Sequence, residues 1–195
     1  MLEVLGLRGA GNRAFRHTGT FDGAFLTVTY IVDIVEHESR LSRGLGAVTD
    51  EFLLAGLLSL PVQDMAAIDT RFSRALRSET ASDMMTMMRD PDGGFWGCRR
   101  LGVPVEVVEL ETESAKWRSG RSVAHQWVGY GPRLVHLEEE IEPFELAEAS
   151  HYGIGLVARD GVRILEPAPY CPHRLTTARW RLAELVYAQF REFDA

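Results

Sequence analysis

The cluster Asp90-Pro91-Asp92-Gly93-Gly94 constrains this chain most, because it marks a sharp turn at which the sequence changes character. Before it the pattern predicts mainly helices, and after it mainly strands. Leu2 to Leu7 reads as a short first strand. Phe25 to Val35 reads as another, with Leu26, Val28, Tyr30, Val32 and Ile34 alternating along one face. A helix is expected from Val48 onward, with Thr49 or Asp50 as its cap and an apolar body over Phe52 to Leu60. Pro61 ends it and opens a second helix through Arg77, and Ser78 or Thr80 caps a third that carries Met84, Met85, Met87 and Met88.

Beyond the turn, Val103 to Glu111 reads as a strand. Ser122 to Val128 and Arg133 to Ile141 flank Gly129-Tyr130-Gly131-Pro132 as the arms of a hairpin. Ile154 to Arg159 and Val162 to Glu166 flank Asp160-Gly161 as a second, tighter one. A final helix is expected from Thr176 to Phe193, with Leu182, Leu185, Val186 and Phe190 at core spacing. The expected architecture is therefore α+β: a helical N-terminal half packed on an antiparallel sheet of consecutive hairpins, closed by a C-terminal helix. A single globular domain over residues 1–195 is the expectation from length.

Composition narrows the function classes. Of 21 basic residues only Lys116 is a lysine, and Asn12 is the lone asparagine, a skew that GC-rich codons of a bacterial genome produce. Arginine is thus weak testimony for anion binding here, and the Arg71, Arg74, Arg77 stripe reads as a solvated face. Ten glutamates between Glu106 and Glu148 face only Lys116, Arg118, Arg121 and Arg133, which is most of the net charge of −7. A duplex phosphate backbone is repelled by such a segment, so nucleic acid is excluded as a partner. No apolar run approaches the roughly 20 residues that span a bilayer, and no leader is visible, so no membrane partner and a cytoplasmic location are expected. Two cysteines, Cys98 and Cys171, make no disulfide framework.

The first hairpin carries the sharpest chemical expectation. With a four-residue loop, Val128 pairs with Arg133, and His125 then falls opposite His136 on the face that also holds Trp127, Leu134 and Glu138. His125, His136 and Glu138 would supply a two-histidine, one-carboxylate set for a divalent metal, or an acid–base cluster acting on a small molecule.

The stretches Leu101-Gly102-Val103-Pro104-Val105, Ala124-His125-Gln126-Trp127-Val128 and His136-Leu137-Glu138 also resemble, over about 40 residues, the histidine and acid strands of transglutaminase-like, papain-type thiol enzymes. That resemblance implies His125 as base, Glu138 as its orienting acid and Cys98 as nucleophile toward an acyl substrate, with Arg99 and Arg100 favouring the thiolate. Here Cys98 stands only four residues before Gly102, closer than the full helix that separates them in such enzymes.

Cys171-Pro172-His173 is half of a zinc pattern without a second half, and reads as a proline-rigid turn. Asp33 reads as a carboxylate interrupting a strand. Phosphate-loop, dinucleotide, nucleophile-elbow and His-Glu-x-x-His signatures are absent from the sequence. A third, non-catalytic reading is a subunit whose methionine helix or glutamate-rich sheet docks a protein partner or a second copy.

Overall fold

The computed structural model describes residues 2–8, 12–171 and 174–194. In chain order the elements are β1 (Leu2–Arg8), β2 (Asn12–Phe21), β3 (Ala24–Val32), α1 (Ile34–Ser42), α2 (Glu51–Leu58), β4 (Ala66–Ala67), α3 (Ser73–Leu76), β5 (Met85–Arg89), β6 (Phe95–Arg99), β7 (Val105–Ser114), α4 (Trp117–Gln126), β8 (Arg133–Leu137), α5 (Pro143–His151), β9 (Ile154–Val157), β10 (Arg163–Leu165) and α6 (Thr177–Asp194), with a single 3₁₀ turn at Glu79–Ala81. They group into two compact units, Met1–Val32 with Glu106–Arg174, and Asp33–Val105 with Leu175–Ala195.

The first unit holds a seven-stranded sheet in the order β1-β2-β3-β7-β8-β9-β10. The chain opens with strands rather than helices, which corrects the expected helical N-terminal half. Strands β2 and β3 form an antiparallel hairpin over Asp22 and Gly23, both with positive φ (45° and 84°), the twist-matched geometry that an Asp-Gly pair adopts.

The expected antiparallel sheet of consecutive hairpins is also corrected. β7 runs parallel to β8, and β8 parallel to β9, with α4 and α5 as the crossovers. Ser122 to Gln126 is helical, because Trp117, Gly120 and Ala124 recur at helical spacing and all three are buried. Helix α5 starts at Pro143, and the Glu145 side chain accepts the Glu142 backbone N–H at 3.2 Å. Only the Asp160-Gly161 hairpin, joining β9 to antiparallel β10, stands as expected.

Both crossover helices pack on one side of the sheet. Trp117 and Ala124 of α4 and Ala149 of α5 share a core with Val135, Leu137, Ile154 and Leu156. Arg133, at the start of β8, donates to the carbonyls of Ala124 (3.3 Å) and Tyr152 (2.7 Å), a cation placed at the ends of both helices. Since strand side chains alternate between faces, Leu134, His136, Gly155 and Val157 point to the other side of the sheet.

The second unit buries Leu53, Leu54, Leu57, Leu76, Leu101 and Trp180 among other apolar groups. Asp33 caps α1, its carboxylate accepting the Glu36 N–H at 3.0 Å, so it is an exposed cap rather than a strand residue. Asp50 caps α2 as expected, and α6 closes the chain. The segment after Pro61 is largely irregular, where a helix through Arg77 was expected. The methionine segment forms strand β5 rather than a helix. It pairs with β6 across Asp90 to Gly94 in a three-stranded sheet, with Met85 buried and Met88 exposed. Arg40 and Glu184, both fully buried, meet in a bidentate pair at 2.7 Å, and Glu184 also accepts from Val48 N–H and Trp180 Nε1–H. A buried pair so fully hydrogen-bonded fixes α1 against α6.

A Cβ at Gly120 would overlap Val135 Cγ1 and approach Ser114 Cβ at 3.1 Å, in a core where Val135 is fully buried. Gly120→Ala is therefore expected to destabilise the protein by about 1–2 kcal/mol despite the better helix propensity of alanine. Urea denaturation checks this, and a stabilised variant would show that α4 does not press on β8 as described.

Candidate functional site

The open face of the seven-stranded sheet carries a charged cluster. β2 contributes Arg16, β3 Thr29, β7 Glu111 and β8 His136. Arg16 and Thr29 are register partners, while His136 lies one step diagonal to Glu111, whose own partner is Leu134. Glu111 is only 6% exposed. Its Oε2 accepts from Arg16 Nη2 at 2.7 Å and meets His136 Nε2 at 2.8 Å, and Oε1 lies 3.5 Å from the Thr29 hydroxyl.

Burial by itself would raise the Glu111 carboxyl. The hydrogen bond from His136 and the charges of Arg16 and His136 outweigh it, and hold the group below the usual glutamate range. An ionised carboxylate can only accept, so Nε2 of His136 carries the hydrogen, and in a neutral imidazole Nδ1 is left with its lone pair. Nδ1 has no hydrogen-bond partner among the described residues.

These groups form the floor of a cavity of about 520 Å³. Its walls are Val108, Pro132, Val157 and the segment Glu166-Pro167-Ala168-Pro169. That segment crosses the sheet where Gly155 has no side chain: a Cβ there would lie 2.7 Å from Pro167. At the rim, Arg163 bonds Glu166 at 2.8 Å and Glu109 at 3.3 Å.

The residues anticipated from sequence are not assembled as expected. His125 is exposed on α4, its ring edge-on to Tyr152 at 5.2 Å, in a cavity of about 450 Å³ shared with Arg121 and Gln126. Glu138 is exposed just past β8, in a third depression with Glu139, Glu140 and Asp160. His136 alone reaches the charged cluster, so the three line three separate cavities. Among the described residues no group of three or more His, Cys, Asp or Glu is placed to hold a metal ion. Cys98 lies on β6 of the second unit, half-buried and in register with Thr86, with a free thiol, as is that of exposed Cys171. Pro172 and His173, the rest of that half-pattern, lie outside the described residues.

Sequence reasoning missed Arg16 and Glu111. The alternation Glu109-Leu110-Glu111-Thr112-Glu113 was the available signal, since it sets carboxylates on one strand face. No helix among the described residues is long and apolar enough to cross a membrane. Comparison with protein-family models, curated proteins and solved structures finds no match for this chain.

Because its pKa is lowered on folding, Glu111 contributes stability that is fully present above the ordinary glutamate value and is lost as pH falls through its folded value. The stability advantage of the native protein over Glu111→Gln should thus be flat near neutrality and shrink on acidification. Denaturation midpoints of both proteins across that range check the sign; an advantage that grows in acid would contradict it.

Proposed function

We propose that this protein is an enzyme that moves a proton on a small molecule bound against the open sheet face, with His136 as the acid–base group and Glu111 as the carboxylate that orients it. The observation that carries this reading is the 2.8 Å contact between His136 Nε2 and a buried, ionised Glu111 at the floor of a cavity. A carboxylate on one ring nitrogen fixes the tautomer and leaves the other nitrogen free to take a proton. Arg16 keeps Glu111 ionised and so acts through it, as a positioning residue.

The lining supports proton transfer over covalent catalysis. Among the described residues it includes no serine, cysteine, lysine or tyrosine, its glutamates are held by Arg16 and Arg163, and the Thr29 hydroxyl is directed at Glu111. The base would act on a carbon- or oxygen-bound proton of the substrate, or on a water beside it. A volume of about 520 Å³ lies within the range of small-molecule sites, which supports a substrate of metabolite size.

Diethyl pyrocarbonate, which acylates a bare imidazole nitrogen, tests the arrangement without knowledge of the substrate. His136 is expected to react readily, and Glu111→Gln, which keeps the shape and removes the charge, to slow it severalfold. The modified peptide is followed by mass spectrometry. A His136 that stays unmodified, or reacts equally fast in both proteins, contradicts the proposal.

A further inference from the structure

The hydrogen-bonding capacity left over in the cavity is unequal in kind. Every carboxylate lining it is engaged: Glu111 by Arg16 and His136, Glu109 by Arg163, and Glu166 by Arg163. Arg16, by contrast, uses one terminal nitrogen only. Its Nη2 meets Glu111, while among the described residues nothing accepts from Nη1, and the buried Nε also has no partner. A guanidinium left with donors, beside a histidine whose Nδ1 has no partner among the described residues, calls for acceptor oxygens from outside the chain.

From this we infer that the bound molecule is a small carboxylic acid, its carboxylate on Arg16 and its body over His136. This rests on the reading of His136 given above and adds the substrate class. Charge sets the valence. Arg16 and Glu111 neutralise one another, and Arg163 is held between two glutamates, so with His136 neutral the lining carries one net negative charge; local donors without any positive excess suit a monoanion better than a polyphosphate. The walls set the rest of the ligand. Val108, Pro132, Leu134, Val157, Pro167 and Pro169 form the apolar part of the lining, which suits a hydrocarbon or aromatic body next to the carboxylate.

Benzoate and benzamide, which share a shape and differ in charge, separate the possibilities on the unmodified protein. Benzoate is expected to slow carbethoxylation of His136 by at least about fivefold at saturation, and benzamide to do so far less, as a charge-assisted contact requires. Arg16→Lys, checked for folding by its thermal melt, should weaken benzoate protection by roughly tenfold, because lysine cannot replace the planar fork. Equal protection by benzoate and benzamide, or stronger protection by inorganic phosphate, overturns the carboxylate assignment. If His136 reacts and neither compound protects it, the carboxylate assignment falls while the acid–base reading stands. If His136 does not react, the acid–base reading falls, and benzoate binding is then read from amide chemical shifts at Leu134, Val157 and Ala168. Unmoved shifts there remove the carboxylate assignment as well.

Discussion

Both crossover helices of the parallel segment lie on one face of the seven-stranded sheet, and the character of the first unit follows from that. A parallel segment is usually covered on both sides. Here α4 and α5 bury Val135, Leu137, Ile154 and Leu156, and among the described residues of the unit no helix contributes to the other side. The residues that alternate with them must therefore be polar, or be shielded by something other than a helix. Both solutions are present. The proline-rich segment from Glu166 to Pro169 passes over Gly155, and the remainder carries Arg16, Thr29, Glu111 and His136 as one linked cluster.

A comparison inside the molecule clarifies what that cluster is for. The second unit also buries an ion pair, Arg40 with Glu184. There both Glu184 oxygens, the guanidinium nitrogens of Arg40 and the neighbouring backbone and indole donors are satisfied within the protein. Nothing is left over, and the pair fixes helices. Around Glu111 the carboxylate is satisfied in the same way, yet among the described residues Arg16 Nη1, its buried Nε and His136 Nδ1 have no partner, and both side chains line a cavity. Closed networks stabilise a fold, whereas a network with open positions facing a cavity is arranged to receive something.

Two helices of the second unit could be read from local chemistry. Asp50 before an apolar run, and the long amphipathic C-terminal segment, give α2 and α6 directly. The first unit was harder for definite reasons. The buried stripe of α4 is built partly from Gly120 and Ala124, which carry little hydrophobic signal, so the β-branched and aromatic residues around His125 read as a strand. Once that strand was assumed, His125 and His136 fell opposite one another by register alone, and the supposed metal set followed from it. Asp22-Gly23 was as good a hairpin signal as Asp160-Gly161, and recognising it would have placed β2, and with it Arg16, in the sheet. The methionines misled in the opposite sense, since a residue of good helix propensity sits in β5 because its neighbour across the turn is a strand. His136 was legible as a candidate. Its partner was not, because Glu111 is brought to it by a parallel pairing whose crossover spans residues 115–132.

Glu111 holds His136 by Nε2, which leaves Nδ1 without a partner among the described residues. Long-range proton–nitrogen correlation of ¹⁵N-labelled imidazoles reads this tautomer directly. The native protein should show His136 protonated at Nε2 with a bare Nδ1 while the ring is neutral, and Glu111→Gln should show a mixture of tautomers. A His136 that carries its proton on Nδ1 in the native protein, or the same tautomer in both proteins, would contradict the account.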